Sequence, residues 1–191
     1  MKADIEPLLK LDLAALNLNS VDTYNKKECI LFSWPKRNKY RVFSNFYPCC
    51  FTTPEGTFYS VEQYYHFKRI DEPRFRDKLM TYTGDDNGHL CYKYAHSRWV
   101  KPHVEMDNDK RWQYIWEGLV YKTAVCPEFV EKLRLTGNKT IVEHITWEAR
   151  GDIFGAAYQS EDQKDTLVGY NALGKMLMYL SNWSLFTGIL L

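Results

Sequence analysis

Two acidic residues in the sequence stand where a carboxylate can be held in place for chemistry. Glu62 lies near the start of a predicted helix, whose positive dipole end favours a carboxylate, and Tyr65 follows it closely. Asp152 lies in a loop over residues 151–155, where two flanking glycines let the backbone approach a bound group. Paired carboxylates suit general acid and base catalysis. The structural alternatives are a surface glutamate stabilised by the dipole and a tight turn with a solvated aspartate.

Residues 43–48 add polar and aromatic side chains to these candidates. Asn45 and Tyr47 lie in a predicted loop after a strand, from which they can hydrogen-bond to sugar hydroxyls or base edges. A capped turn is the structural alternative. Lys122 lies at the edge of an apolar helix face, where it either binds phosphate or extends along that face with its charge in water.

The elements that must position these residues are mainly helical. Ser60 and Gln63 have the spacing of a capping box, so a helix is predicted from there to about residue 70. One face of this helix carries Glu62, His66 and Arg69. The strongest apolar periodicity covers residues 109–125, and Asn171 is expected to cap a final helix. Shorter helices are predicted over residues 73–84, 89–99 and 127–137.

Strand signals are short and few. They cover residues 29–34, 51–53, 57–59 and 140–145, with a loose alternation over 40–46. Residues 151–158 are expected to form a loop, and the apolar segment 186–191 to pack against the body or a partner. The pattern predicts an α+β fold with a single mainly helical domain over residues 29–191, preceded by an arm or short helix over residues 1–28.

Composition excludes several classes of protein. The chain has 191 residues and a formal net charge of +1, which argues against a nucleic-acid coat protein or a polybasic membrane binder. No apolar run reaches the length of a membrane span. The five cysteines form no C-x-x-C pair, so neither a zinc site nor a disulfide framework is expected, and an intracellular, cytoplasmic location is inferred. The sequence also lacks the G-x-G-x-x-G, P-loop, H-E-x-x-H and G-x-S-x-G motifs.

Six motifs occur in a recognisable order along the chain. They are Phe43-Ser44-Asn45-Phe46-Tyr47-Pro48, Ser60-Val61-Glu62-Gln63-Tyr64-Tyr65, Lys122, Thr136-Gly137 with Val142-Glu143, Gly151-Asp152-Ile153-Phe154-Gly155, and Gly169-Tyr170-Asn171-Ala172-Leu173-Gly174 with Leu177-Met178. The series resembles the NADAR family, also called YbiA-like, over about residues 30–183. The resemblance implies a mainly helical α+β fold and hydrolysis of an N-glycosidic bond. Members are associated with ribosylated pyrimidine intermediates of riboflavin synthesis, or with ADP-ribose on guanine bases and related NAD-derived ligands.

The resemblance also implies roles for particular residues. Glu62 corresponds to the family's helix-start glutamate and Asp152 to its loop acid. One of them would deprotonate water and stabilise a cationic ribose, while the other would hold ribose hydroxyls or assist the leaving base. Which acid does which stays open. The expected substrate-binding residues are Asn45, Tyr47, Tyr65, Arg69, Lys122, Phe154, Gly155 and Asn171, with the aromatic rings stacking on the base and Lys122 and Arg69 holding phosphate.

The chain departs from the family pattern at three places. Gln63 replaces a histidine after the glutamate, Phe154 replaces a tryptophan before the loop glycine, and an arginine expected near Ser181 is missing. These differences bear on substrate choice more than on reaction type. The expected partner is a small nucleotide or an ADP-ribosylated base, in nucleic acid if the base lies there, with no metal or cofactor and no membrane. The alternatives are a non-catalytic module that binds ADP-ribose or NAD, and a protein that only docks a partner.

Overall fold

The computed structural model describes residues 5–34, 38–100, 106–149, 151–160 and 162–187. In chain order the helices are α1 (Glu6–Leu9), α2 (Val61–Arg69), α3 (Pro73–Met80), α4 (Asn87–Ala95), α5 (Asn108–Val125), α6 (Pro127–Thr136) and α7 (Ala172–Thr187). The strands are β1 (Asp22–Asn25), β2 (Ile30–Phe32), β3 (Phe51–Thr53), β4 (Gly56–Phe58), β5 (Ile141–Glu143), β6 (Ala156–Tyr158) and β7 (Thr166–Gly169). The α+β fold predicted from the sequence is therefore confirmed.

The described residues divide into two compact units. The unit that contains Glu62, here called the glutamate unit, comprises residues 5–10, 45–100 and 106–126. The other, here called the aspartate unit, comprises residues 11–34, 38–44, 127–149, 151–160 and 162–187. The sequence-based division into an arm over residues 1–28 and one domain over residues 29–191 stays a prediction. Strand β1 lies within that expected arm, yet it pairs with β7. Within the described ranges, no helix is both long and apolar enough to cross a membrane. Most of the expected C-terminal apolar segment, residues 188–191, falls outside those ranges.

Helix α2 begins with the predicted cap, but its glutamine does not complete the capping box. Ser60 Oγ accepts a hydrogen bond from the Gln63 backbone N–H at 3.1 Å. The Gln63 side chain accepts from the Tyr59 N–H at 2.8 Å and donates to the carbonyls of Leu79 and Tyr82. A buried carboxamide must satisfy both its donor and its acceptor, and these partners do so. Gln63 thereby ties the start of α2 to the end of α3.

Helix α5 forms the core of the glutamate unit, as its periodicity predicts. Its buried apolar side chains are Trp112, Ile115, Trp116, Leu119 and Val120. The indole Nε1 of Trp116 donates to the Leu8 carbonyl at 2.7 Å, which fixes α1 against this helix. Gly118 lets α2 approach closely, because a Cβ there would lie 2.8 Å from Cγ1 of Val61. This close packing fixes α2, which carries Glu62.

The aspartate unit is built from short strands and two helices. Strands β1, β7 and β6 form an antiparallel sheet in that order, while β2 and β5 pair in parallel. Strand β6 lies where the sequence predicted a loop over residues 151–158, and no strand was predicted at the position of β7. Residues 41–43, expected as part of an alternating segment, form a 3₁₀ helix. Helix α7 packs against α6 and β5. It reaches β5 closely at Gly174, where a Cβ would collide with the Ile141 carbonyl.

Candidate functional site

Glu62 is a buried carboxylate in the first turn of α2. Only 7 % of its surface is exposed, so the alternative of a solvated surface glutamate is wrong. Its backbone N–H donates to the Asn45 carbonyl at 3.0 Å, and its Oε1 lies 2.8 Å from Nε2 of His66. The positive end of the α2 dipole favours the ionised carboxylate at this position. Glu62 is therefore held by the backbone of Asn45 and by the side chain of His66, which lies one helical turn further along α2.

Asn45 places a second polar group beside the Glu62 backbone. Its side chain is almost fully buried, and Oδ1 has no hydrogen-bond partner among the described residues. An unsatisfied buried acceptor costs about 1–3 kcal/mol, so such a group calls for an explanation. A bound hydroxyl or amine would satisfy it, which fits the role predicted for Asn45.

His66 lies next to Glu62 and is 1 % exposed. Burial lowers the pKa of His66 from its ordinary value of 6.5, and the charge of Arg69 acts in the same direction, whereas Glu62 raises it. From the sequence, His66 was assigned no role beyond its place on the same helix face as Glu62 and Arg69. That spacing of four and then three residues was the available signal, but it does not show burial or hydrogen bonding.

Arg69 and Tyr65 pack together on the last turns of α2. The Arg69 guanidinium carbon lies 5.2 Å from the centre of the Tyr65 ring, and its Nη1 lies 3.3 Å from Nδ1 of His66. Tyr65 is 6 % exposed, and its ring centre is 5.2 Å from that of His66. Arg69 therefore contacts the side chain that holds Glu62, a partner that the phosphate-binding prediction did not include.

Lys122 and Tyr47 form a cation–π pair within the glutamate unit. Lys122 is 0 % exposed, so its ammonium group does not extend into water as the structural alternative proposed. Its Nζ lies 5.2 Å from the centre of the half-buried Tyr47 ring. A buried lysine needs compensating partners, and an aromatic face supplies part of that compensation. The pair places a positive charge and an aromatic ring side by side.

Asp152 lies in the aspartate unit in a turn that is tied to α7. The side chain is exposed, and its Oδ1 accepts a hydrogen bond from the Phe154 N–H at 2.8 Å. The carbonyls of Ile153, Phe154 and Gly155 accept the N–H groups of Ala172, Leu173 and Asn171. The loop therefore satisfies the free donors at the start of α7.

A cavity of about 330 Å³ adjoins this loop in the aspartate unit. It is lined by Val21, Ile145, Gly151, Asp152, Gly155, Tyr158, Gln159, Val168, Gly169 and Tyr170. Asp152 and Gly155 thus share one cavity, as the sequence expectation of a binding loop requires. Gly155 is buried, and a Cβ there would lie 2.9 Å from the Glu143 carbonyl oxygen, so the loop passes close to the chain after β5.

The Asn171 side chain makes contacts other than the expected helix cap. It is fully buried, its Oδ1 accepts from the Glu143 N–H at 3.0 Å, and its Nδ2 donates to the Ile141 carbonyl at 2.9 Å. The carboxamide therefore holds β5, while the loop carbonyls described above accept the first N–H groups of α7. Its backbone φ of +50° allows this turn into the helix, and asparagine tolerates that conformation better than most residues.

The structure thus groups the predicted site residues within each unit. In the glutamate unit, direct contacts join Glu62 with Asn45, Tyr65 with Arg69, and Tyr47 with Lys122. In the aspartate unit, Asp152, Phe154, Gly155 and Asn171 belong to one hydrogen-bonded loop. All five cysteines lie within the described ranges, and none of them forms a disulfide. Across the described ranges, no cluster of three or more histidine, cysteine, aspartate or glutamate side chains is arranged to hold a metal ion.

Comparison with known proteins identifies the family of this chain. The fold is similar to that of the NMR structure of the E. coli protein YbiA, with a TM-score of 0.65 and 18 % sequence identity. That match covers 86 % of this chain and 89 % of the YbiA chain. No curated protein matches the sequence. The family model of the NADAR domain matches residues 31–182, which is most of the sequence. The chain therefore belongs to the NADAR domain family.

Proposed function

We propose that this protein is a hydrolase that cleaves the N-glycosidic bond between a ribose and a nitrogenous base. Membership of the NADAR family supports a glycosidase-type activity. The observation that carries the proposal is the setting of Glu62, a buried carboxylate at a helix start that is fixed by a hydrogen bond from His66. Its backbone N–H is bonded to Asn45, whose buried side-chain oxygen is an unsatisfied acceptor. Such a preorganised charge is what an oxocarbenium-like transition state requires.

Glu62 is the proposed general base. Its Oε1 is engaged by Nε2 of His66, so the second carboxylate oxygen, Oε2, is the atom assigned to proton transfer. In the proposed step, Oε2 takes a proton from water, the water oxygen bonds to C1′ of the ribose, and the C1′–N bond breaks. The departing base keeps the bonding electron pair and takes up a proton. The negative charge of Glu62 stabilises the cationic ribose as this bond lengthens.

The other residues of the glutamate unit supply binding. Asn45 Oδ1 can accept a hydrogen bond from a ribose hydroxyl, which would satisfy its buried acceptor. Lys122 would neutralise a substrate phosphate, and the adjacent Tyr47 ring offers a stacking surface. Both features fit a nucleotide better than a simple sugar.

Asp152 is proposed as the second acid of the reaction. Its exposed carboxylate is oriented by the Phe154 N–H and lines the 330 Å³ cavity. In the proposed reaction, its role would be to hold ribose hydroxyls or to assist the departing base. If so, Asp152→Asn should reduce turnover at least ~100-fold, and if turnover is unchanged, Asp152 has no part in the chemistry.

Two substrate classes follow from the family. One is ADP-ribose attached to a guanine base, and the other is a ribosylamino-pyrimidine phosphate of the riboflavin type. The test is to incubate the full chain with each compound and to follow the released base by mass spectrometry. Release of free base from either compound supports the proposal. Calorimetric binding of ADP-ribose or NAD without release over hours would instead identify a non-catalytic binding module, and no binding of any nucleotide would contradict both functions.

A further inference from the structure

Three side chains on one face of α2 form a continuous chain of contacts. Arg69 Nη1 lies 3.3 Å from Nδ1 of His66, and Nε2 of His66 lies 2.8 Å from Oε1 of Glu62. His66 and Glu62 are both buried, at 1 % and 7 % exposure, and Arg69 is half-buried. The positions i, i+4 and i+7 place the three groups above one another along the helix.

The donors in this chain determine the state of the imidazole ring. A guanidinium group can only donate hydrogen bonds, so Nδ1 of His66 must accept. The single proton of a neutral imidazole then lies on Nε2, where it is donated to the Glu62 carboxylate. An imidazolium ion would instead point a second N–H at the guanidinium and place two positive charges about 3.3 Å apart.

The groups that face His66 favour this neutral form. From its own helix these are Glu62, Arg69 and Tyr65, whose ring lies 5.2 Å from that of His66. From α4 and the residue that follows it they are Tyr92 and His96, whose rings lie 6.3 and 5.3 Å from the His66 ring. Burial lowers the pKa of His66, and Arg69 and His96 lower it further. Glu62 is the one group among these that raises it. The balance leaves the ring neutral near pH 7.

We propose that His66 is a positioning residue, fixed by Arg69 as the neutral Nε2–H tautomer, which orients Glu62 for catalysis without neutralising its charge. This inference rests on the proposed function and assigns a new role within that site. A neutral donor holds Oε1 while the carboxylate keeps its full negative charge for the ribose cation and its basicity toward water. A charged imidazolium would orient Glu62 equally well but would weaken it as a base.

The tautomer can be tested without any substrate. In the full-length chain labelled with ¹⁵N-histidine, two-bond ¹H–¹⁵N correlations distinguish the Nε2–H, Nδ1–H and imidazolium forms, and His66→Gln assigns the His66 signals. The expected result at pH 7 is a protonated Nε2 and an unprotonated Nδ1. Arg69→Met should remove the fixed tautomer and populate other forms. An imidazolium or an Nδ1–H tautomer in the wild-type protein would overturn the proposal, whether or not the protein is an enzyme.

The positioning role is tested by a matched pair of substitutions. In His66→Gln the amide N–H can still reach Glu62 Oε1, whereas His66→Leu keeps the bulk but offers no donor. Because misplacement of a catalytic group by about 1 Å costs roughly 10²-fold, His66→Leu should lower kcat about 100-fold with KM changed little, and His66→Gln should retain most of the activity.

The outcomes of the kinetic and spectroscopic arms are separable. Equal losses in His66→Gln and His66→Leu, or a change confined to KM, would refute a positioning role, provided that thermal unfolding shows both variants folded. If the wild-type protein releases no base from either substrate class, the proposed function fails. In that case the tautomer measurement still decides whether Arg69 and His66 hold Glu62 in the predicted way.

Discussion

Asn171 offers the sharpest test of how the aspartate unit is held together. Its buried carboxamide accepts from the Glu143 N–H and donates to the Ile141 carbonyl, so one side chain satisfies two backbone groups of β5. Asn171→Ala leaves both groups without that partner. At about 1–3 kcal/mol for each buried unsatisfied group, the free energy of unfolding should fall by about 2–6 kcal/mol. That is a large part of the 5–15 kcal/mol typical of a whole protein.

The backbone conformation at this position adds a second, smaller effect. Asn171 has a φ of +50°, in the left-handed region that costs a residue with a Cβ about 1–2 kcal/mol. Asn171→Gly loses the same two hydrogen bonds but avoids this strain. It should therefore be destabilised by about 1 kcal/mol less than Asn171→Ala. The comparison separates the contribution of the side chain from that of the backbone.

Equilibrium unfolding in urea, followed by tryptophan fluorescence, measures both variants. The reasoning is refuted if Asn171→Ala lies within about 0.5 kcal/mol of the wild-type protein, which is the range of a substitution at an unimportant surface position. A large rise in KM with unchanged stability would show instead that Asn171 binds substrate. If Asn171→Ala does not fold, Asn171→Gly provides the quantitative measurement.

Three further outcomes follow from the structure. Burial lowers the pKa of both His66 and His144, so the unfolded chain binds more protons than the folded chain below pH 6.5. Stability should therefore fall as pH decreases toward 5, by up to ~1.4 kcal/mol per pH unit for the buried His66 and by less for the half-buried His144, where solvent screens the effect. His66→Gln should make urea-unfolding curves measured between pH 7 and 5 less pH-dependent, and an unchanged slope would contradict this. Gly118→Val should lower the free energy of unfolding by about 1–3 kcal/mol in the same assay, because the new side chain would collide with Val61. An unchanged free energy of unfolding would mean that α2 and α5 can move apart without cost. Lys122→Met should weaken calorimetric binding of ADP-ribose about 10–100-fold through loss of a charged phosphate contact, whereas unchanged affinity would remove Lys122 from the site.

Local signals predicted the helices of the glutamate unit well. The serine cap identified the start of α2, and apolar periodicity identified α5 to within a residue, because both signals depend on neighbours in sequence. Strands β1 and β7 were missed for the opposite reason. Each has four residues, and each is stabilised by pairing with a segment about 140 residues away. No local pattern reports such a distant partner.

In the candidate site, sequence patterns likewise did not predict which partners single side chains contact. The spacing of Glu62, His66 and Arg69 placed them on one helix face, but the direction of their hydrogen bonds required coordinates. Similarly, a motif match cannot distinguish an asparagine that lines a pocket from one that holds a strand, as the side chain of Asn171 does. The sequence alone could not distinguish a buried Glu62 from one on the surface, and the structure shows that it is buried.

The most direct test of the account is the single-turnover release of free base by the wild-type protein and by Glu62→Gln, with each of the two substrate classes. Glu131→Gln, an exposed glutamate on α6, is the matched control. We expect that Glu62→Gln still binds ADP-ribose but releases base at least ~100-fold more slowly, while Glu131→Gln behaves as the wild-type protein. Release by Glu62→Gln at the wild-type rate would contradict the central claim that this buried carboxylate carries out the chemistry.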